Sequence, residues 1–382
     1  MAPSNADDVD GLNSIVATAL TLFTQLQEVL EKIHHPPPPQ AATYSETQTE
    51  TPEPDDRLDA FEVAADCSRL VRAHCTKIAL LITNEPYSPR AVTSVVKVLA
   101  QSPVSGLVSA VQLCTREDYT VLVRKELAFR CNQVISRVID LCKWIPLDGR
   151  VVPESKRSSP IIGMLWNACD EVVKLTEMGV SGLFVKKILQ WKDMLKDMSA
   201  ELKEWSAEDP DDENDEDDDD AVSDDEAQAM ADELMNGPPP IPHDDPDEIR
   251  PRLNVAIKRL GLMALFYDAI IKRRIKTVPN LPPATPGAAI LYTERLDELA
   301  TVLQSLPERF EEHIQALYDF DGGYADETTD AYLVGATTAE GLVMTDWEGE
   351  EDEFSAWTTK FQKELKRCAL ADGITRKAEP AE

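Results

Sequence analysis

The sequence is poor in the residues that build metal and redox sites. It has five histidines and seven cysteines in 382 residues, and no two cysteines form a CxxC pair. Zinc sites are usually marked by pairs of such ligands at short spacing. We therefore expect no metal centre, and we expect free thiols of the kind found in reducing compartments.

The sequence signatures of common enzymes are also missing. The chain has no GxGxxG, GxxxxGK[ST], HExxH or GxSxG motif, so it lacks the phosphate cradles, paired ligands and nucleophiles that these motifs provide. Its one Gly-Gly pair, in DFDGGYADE, lies among acids that would repel a phosphate, and it is predicted to be a turn. We expect a protein that is not an enzyme, with no catalytic residue and no cofactor.

Long apolar runs and a secretory leader are absent as well. No window approaches the roughly 18 uninterrupted apolar residues of a membrane-spanning helix. The N-terminal sequence MAPSNADDVDG is acidic, whereas a secretory signal is basic and then apolar. These features favour a soluble intracellular protein without a membrane partner.

Basic residues are missing from one long segment. Residues 207–248 carry 20 acids and no base, in a chain whose formal net charge is −32. The regions on either side are mildly acidic, which gives no support to direct nucleic-acid binding, because that needs clustered Lys and Arg. Runs of like charge are usually disordered. Residues 207–246, acidic and then Pro-rich, are therefore predicted to be a disordered linker.

What the chain does have is helical periodicity, beginning with an N-terminal amphipathic helix at residues 1–33. Apolar residues from Leu12 to Ile33 repeat at alternating spacings of 3 and 4, as in a heptad seam. The stripe is widened by Val16, Phe23 and Leu30. A wide stripe favours the core of a helical bundle over a dimerising zipper, which stays the alternative.

The remaining predicted helices fall into two groups, and no alternating apolar and polar run requires a strand. The predicted fold class is all-α, with two helical-bundle units joined by the disordered acidic linker. The predicted segments after the first helix are a Pro-rich and polar linker at 34–56, an N-terminal bundle at 57–206, the linker at 207–246, a C-terminal helical unit at 247–370 and a tail at 371–382. The predicted helices run over 57–83, 89–101, 104–114, 117–144, 160–179 and 182–205, and then over 247–277, 288–306, 308–320, 325–344 and 350–370.

Two short polar features are candidate sites. Lys272, Arg273, Arg274 and Lys276 form the basic run KRRIK, which could be a nuclear-import signal or an anion-binding patch. The alternative is a basic last turn that complements the helix dipole. Ser223, in SDDE, is a candidate site for an acid-directed kinase.

The order of the helices carries a resemblance to a known family. DYTVLVRKELAFRCNQVISRVIDLCKW is followed by LWNACDEVVKLTEMGVSGLFVKKILQWKDMLKDMSAELKEW, by the acidic run and by IRPRLNVAIKRLGLMALFYDAIIKR. Over most of residues 60–278 this resembles the cyclin-D-interacting (GCIP-type, cyclin-D1-binding) protein family. The resemblance implies helical bundles similar to those of vinculin and talin, a location in nucleus and cytoplasm, and D-type cyclins or helix-loop-helix factors as partners.

Two functional hypotheses follow. The first is a non-enzymatic helical interaction protein that regulates the cell cycle or transcription, with bundle grooves that accept partner helices and the acidic run as a spacer. The alternative is a chaperone of histones or other basic proteins that binds them through the acidic run. The run could also contact the bases that follow it, namely Arg250, Arg252, Lys258, Arg259 and the KRRIK run.

Overall fold

The computed structural model describes residues 5–35, 58–153, 160–208, 238–245, 247–283 and 289–371. These residues contain helices and no strand, so the predicted all-α fold is confirmed. The helices are α1 (Asn5–His34), α2 (Ala60–Thr83), α3 (Pro89–Gln101), α4 (Pro103–Leu113), α5 (Arg116–Tyr119), α6 (Val121–Trp144), α7 (Ile161–Trp205), α8 (Ile249–Arg273), α9 (Ile290–Tyr318), α10 (Gly322–Val343) and α11 (Glu353–Ala371), with a 3₁₀ turn at Ile275–Thr277.

The helices form two compact units. Unit 1 contains residues 1–183 and 280–297, and unit 2 contains residues 184–279 and 298–382. Helices α7 and α9 therefore contribute to both units. Most of the linker predicted at 207–246, and most of the one predicted at 34–56, lie outside the described residues, so the predicted domain bounds and the predicted disorder stay predictions.

Helix α1 lies in the core of unit 1, where it packs against α3 and α6. Its fully buried residues are Leu12, Val16, Ala19, Phe23 and Leu30. This stripe includes the residues that widen the heptad seam in the sequence, and the seam residues Ile15 and Leu22 are only half buried. The buried stripe faces helices of its own chain, as expected for a bundle helix rather than for a two-stranded zipper.

Helices α3 and α4 together make the most apolar stretch of the described chain. Residues Pro89–Leu113 are long and apolar enough to cross a membrane by length and composition. The stretch is not one helix, because the backbone turns at Ser102, ahead of Pro103. Helix α3 packs on α1 and α2, and α4 packs on α2 and α6, so both use much of their apolar surface inside unit 1.

The helix predicted at 117–144 is divided at Thr120. This residue has a φ angle of 93°, a left-handed value that is unusual for a β-branched side chain. The break is supported by Asp297 of α9, whose carboxylate accepts the amides of Val121 and Leu122 at 2.8 and 3.2 Å. A carboxylate that caps a helix from 176 residues away leaves no local signal in the sequence.

Of two predicted helix breaks, one is present and the other is not. The predicted break before residue 182 lies at Gly179, whose non-helical backbone angles (φ 71°, ψ −178°) divide the 45-residue span of α7 into two helices that meet at a kink. The predicted break at Pro307 is absent, and α9 continues through this proline. Proline inside a helix removes one backbone hydrogen bond and often only bends the helix.

The Gly322–Gly323 pair was predicted to be a turn, but it opens helix α10. The carboxylate of Asp321 accepts the amide of Tyr324 and caps the helix. A Cβ on Gly322 would lie only 2.8 Å from the carbonyl oxygen of Asp247. Glycine is therefore required here by the close approach of two backbone segments within unit 2.

The core of unit 2 is aromatic. Phe266 of α8 stacks on Phe361 of α11, with ring centroids 4.7 Å apart, and Phe310 of α9 stacks on Tyr332 of α10 at 4.2 Å. The buried hydroxyl of Tyr267 donates to a carbonyl of α9 at 2.7 Å. These contacts tie four helices together around α8.

Candidate interaction groove

A groove with a cavity volume of about 480 Å³ lies between α6 and the first part of α7, within unit 1. Its α6 wall runs over about three turns, or roughly 17 Å at 1.5 Å per residue. Its lining residues are Glu126, Phe129, Arg130, Gln133 and Arg137 of α6, and Gly163, Met164, Asn167, Ala168 and Glu171 of α7.

Two large apolar side chains reach solvent in this groove, one on each wall. Phe129 is 42% exposed and Met164 is 41% exposed. The α7 wall also carries Gly163 and Ala168, whose small side chains leave room for a group that enters the groove. Exposed apolar side chains set among polar groups are typical of protein-binding surfaces.

The polar part of the groove is organised by a buried guanidinium. Arg130 donates to the Glu126 carboxylate at 2.9 Å and to the backbone carbonyl of Glu171 at 2.6 Å. The Glu171 carboxylate in turn accepts the ammonium of Lys174 at 2.7 Å. These bonds hold α6 and α7 together below the exposed apolar pair, so the groove is preformed rather than built on binding.

Helix α1 positions the aromatic wall. Nδ1 of His34 lies 3.1 Å from the carbonyl oxygen of Lys125, and its ring packs 5.2 Å from that of Phe129. The structure gives His34 a packing role beside the groove.

This groove is not among the sites predicted from the sequence. On α6 the buried stripe includes Leu127, Cys131, Val134 and Val138, and Phe129 lies off that stripe. A large aromatic residue on the polar side of an amphipathic helix is the signal that could have located the site.

The four residues of the predicted basic patch do not share one environment. Lys272, Arg273 and Lys276 are exposed, and their role in import or anion binding stays a prediction. Arg274 does not belong to that surface, because it is 1% exposed. It donates two hydrogen bonds of 2.8 Å to the carboxylate of Asp352.

Arg274 is therefore a structural residue of unit 2. Its Nε donates to the carbonyl of Val343 at 3.0 Å, and its guanidinium lies 4.8 Å from the centre of the Phe354 ring. The hydrogen bonds from Arg274 keep the pKa of Asp352 well below its usual value. Together these contacts hold the start of α11 against the end of α8.

Four of the eight bases that could have contacted the acidic run are buried or bonded within unit 2, and Arg274 is one of them. Arg252 is paired with Asp326 at 3.0 Å, and Arg259 is buried beside Tyr332, to whose hydroxyl it donates at 2.5 Å. Lys258 stays exposed. The bases left exposed for an intramolecular contact with the acidic run are Lys258, Lys272, Arg273 and Lys276, and that contact stays a prediction.

The acidic run itself, with Ser223, lies outside the described residues, but both of its flanks are described. Nε1 of Trp205, at the end of α7, donates to the carbonyl of Pro239 at 3.0 Å. Trp205 is buried against the edge of Tyr318, with ring centroids 4.8 Å apart. The described residues on either side of 209–237 therefore lie next to each other in unit 2.

The described cysteine thiols of unit 1 are mostly buried. Five cysteines of unit 1 are buried and free, namely Cys75, Cys114, Cys131, Cys142 and Cys169. Burial raises the pKa of each of them, which keeps the thiols protonated and poorly nucleophilic. In the part of the chain that the structure describes, no group of three His, Cys, Asp or Glu side chains could hold a metal ion.

Comparison with known proteins places this groove in a recognised domain. The family model described as Grap2 and cyclin-D-interacting, N-terminal, matches residues 65–208, which include both walls of the groove. An uncharacterized protein of Schizosaccharomyces pombe is 23% identical over 258 residues, covering 65% of this chain and 72% of the relative. No solved structure matches the chain, so the likeness to vinculin and talin bundles stays a prediction. Residues 65–208 thus match the N-terminal domain of the Grap2 and cyclin-D-interacting protein family, which confirms over these residues the resemblance found in the sequence.

Proposed function

We propose that the protein is a non-enzymatic interaction protein that binds one face of a partner helix in the groove between α6 and α7. The observation that carries this proposal is the pair of exposed apolar side chains, Phe129 and Met164, on opposite walls of a preformed groove. An amphipathic helix places its apolar residues at i, i+3, i+4 and i+7, over two turns or about 11 Å. The α6 wall is long enough for such a contact.

The family supports a helical partner. The matching family is described as cyclin-D-interacting, and the resemblance implies D-type cyclins or helix-loop-helix factors. A helix-loop-helix factor offers amphipathic helices, which suit a groove with apolar anchors and a polar rim. Under this proposal the protein acts in nucleus and cytoplasm as a regulator of the cell cycle or transcription, without direct contact to nucleic acid or membrane.

The test is a binding measurement with purified full-length protein and with a D-type cyclin and a helix-loop-helix domain as separate probes. Phe129→Asp and Met164→Asp should each weaken binding of the true partner at least thirtyfold, since a central apolar anchor contributes about 2 kcal/mol or more. The matched control is Leu80→Asp, a leucine of α2 that is 57% exposed and lies away from the groove lining.

Circular dichroism must first show that all three variants are folded, so that a change in binding reports on the groove. Loss of binding in both groove variants, with Leu80→Asp unchanged, supports the groove. Equal binding by all three variants and the wild type overturns it. Binding of one probe and not the other decides between the cyclin and helix-loop-helix classes.

A second function, binding of histones or other basic proteins by the acidic run, is favoured by one observation. The hydrogen bond between Trp205 and Pro239 brings together the two flanks of residues 209–237, so the length of this segment cannot set a distance between its flanks. Under this second function, the segment therefore acts through its negative charge and not through its length. Replacement of 209–237 by a short Gly/Ser linker should abolish salt-sensitive histone capture and leave groove binding intact; capture by the replaced variant would refute this second function.

A further inference from the structure

Glu340 of α10 is a buried acid whose carboxylate lies beside the side-chain amide of Gln362 but outside strict hydrogen-bond geometry. The residue is 2% exposed, and within the described residues neither carboxylate oxygen has a partner in hydrogen-bond geometry. Buried carboxylates are normally paired, because an ionised group in an apolar environment costs several kcal/mol. The other buried charges of unit 2 follow that rule, as Arg252 does with Asp326.

The polar groups that act on Glu340 come from α11. They are the ammonium of Lys366 and the amide of Gln362, and both favour the ionised form. On α8, the buried Arg259 is directed at Tyr332 and at the carbonyl of Leu365. On α9, the side chain of Arg309 donates to the carbonyl of Ala331, more than two helical turns from Glu340. Burial therefore dominates, and it raises the pKa of Glu340 to about 7.

The C-terminal half of α11 depends on this neighbourhood for its packing. The first turn of the helix is held by the bonds between Asp352 and Arg274. Beyond it, α11 packs through Phe361, which stacks on Phe266, and through Leu365, which is buried. Phe361 and Leu365 are the sequence neighbours of Gln362 and Lys366. A charge on Glu340 therefore arises beside the turns of α11 that carry these packing residues.

We propose that ionisation of Glu340 loosens the C-terminal half of α11 from unit 2, so that this half of the helix is a proton-dependent switch. In the closed state the protonated carboxyl is tolerated in its apolar site. In the open state the carboxylate is hydrated, and the buried faces of Phe361 and Leu365 become accessible to a partner.

The direction of the effect follows from linkage. The closed state holds the proton more tightly than an exposed glutamate does, since the pKa rises from 4.5 to about 7. The stabilisation of the closed state is therefore complete below pH 4.5 and is lost as the pH rises towards 7. With these two values the equilibrium constant for opening increases about tenfold between pH 6 and pH 8.

The test is hydrogen exchange of the full-length protein at pH 6 and pH 8, read by mass spectrometry and corrected for the pH dependence of the intrinsic exchange rate. In the wild type, protection of residues 361–367 should fall about tenfold over this range. In Glu340→Gln, a neutral side chain of the same size, protection should be equal at both pH values. Glu327→Gln, an exposed acid of the same helix, should behave as the wild type.

Lys366→Gln distinguishes the switch from a general loss of stability. Removal of this ammonium takes away an interaction that favours the ionised form, so the midpoint of the transition should move to higher pH. Two results would overturn the proposal. One is a pH-independent protection of residues 361–367 in the wild type. The other is protection that rises with pH, which would mean that an ion pair between Glu340 and Lys366 strengthens the docking of α11.

Discussion

Two buried groups of unit 2 give its stability opposite dependences on pH. His313 of α9 is 2% exposed, its Nδ1 lies 3.0 Å from the Thr328 hydroxyl, and burial together with the charge of Arg259 lowers its pKa from 6.5 to about 4. Glu340 of α10 has its pKa raised from 4.5 to about 7. Both groups are therefore neutral in the folded unit near pH 6, and both ionise when it unfolds.

The signs of the two contributions differ. Between pH 7 and pH 5 the unfolded chain takes up a proton at His313 while the folded unit does not, which costs about 2 kcal/mol of stability. Over the same range the unfolded chain gains less free energy from the ionisation of Glu340. This raises the free energy of unfolding by about 2 kcal/mol. The two slopes nearly cancel, so these groups leave the wild type with little pH dependence between pH 5 and 7.

Single substitutions should reveal each slope. In Glu340→Gln the histidine acts alone, and the free energy of unfolding should fall by about 2 kcal/mol from pH 7 to pH 5. In His313→Asn, whose amide can still bond to Thr328, it should rise by about the same amount, on top of a constant loss of packing. The assay is urea unfolding at pH 5, 6 and 7, with Trp347 and Trp357 as fluorescent reporters within unit 2.

The result that would refute this reasoning is a set of parallel pH profiles. If both variants keep the slope of the wild type, neither group changes its protonation state on unfolding in this range. The double variant is the internal control, because its profile should be as flat as that of the wild type.

Two further pairs of variants test the packing of unit 2. Arg274→Met should lower the free energy of unfolding by about 3 kcal/mol, since it leaves a carboxylate and a carbonyl without their partner; Arg273→Met, at the exposed neighbouring position, should stay within about 0.5 kcal/mol of the wild type, and equal effects would contradict the burial of Arg274. Gly322→Ala should destabilise by about 1–3 kcal/mol, because the added methyl group meets the carbonyl of Asp247. Gly261→Ala, in the middle of α8 with open space around it, should stabilise the protein by up to about 1 kcal/mol. The free energy of unfolding is measured by calorimetry or urea. If Gly261→Ala also lowers it, local crowding at Gly322 does not explain the difference between the two variants.

The sequence predicted the helices well where the signal is local. The helix predicted at 89–101 has the same bounds as α3, and the Ser88 hydroxyl accepts the amide of Ala91 as an N-cap does. The apolar period of α1 predicted a bundle helix, and its buried stripe packs on α3 and α6. Such features depend on residues within one or two turns of each other, so they can be read without the fold.

Contacts between distant residues could not be predicted in this way. The basic run around Arg274 has the composition of a surface patch, and nothing near it indicates a carboxylate 78 residues further along the chain. The break at Thr120 depends equally on Asp297. In both cases a charged residue that would be assigned to the surface by its type is used to join two helices.

The groove combines both kinds of information. Phe129 is recognisable as an aromatic residue on the polar side of α6, which is a local property. That Met164 lies on the opposite wall, and that Arg130 holds the two walls together, depends on how α7 returns along α6. A surface formed by two helices can be suspected from one of them, but its shape is fixed only by their packing.

The acidic run shows why composition alone does not assign a role. Its charge predicts an extended chain, and an extended chain between two folded units suggests a spacer. Whether it is one depends on where its flanks lie, and Trp205 and Pro239 are in hydrogen-bond contact within unit 2. A spacer acts through its length. A segment whose flanks are in contact can act only through its own charge and sequence. A neutral replacement of equal length and a shorter acidic one therefore separate the two roles: only the neutral replacement should lose the function of the run.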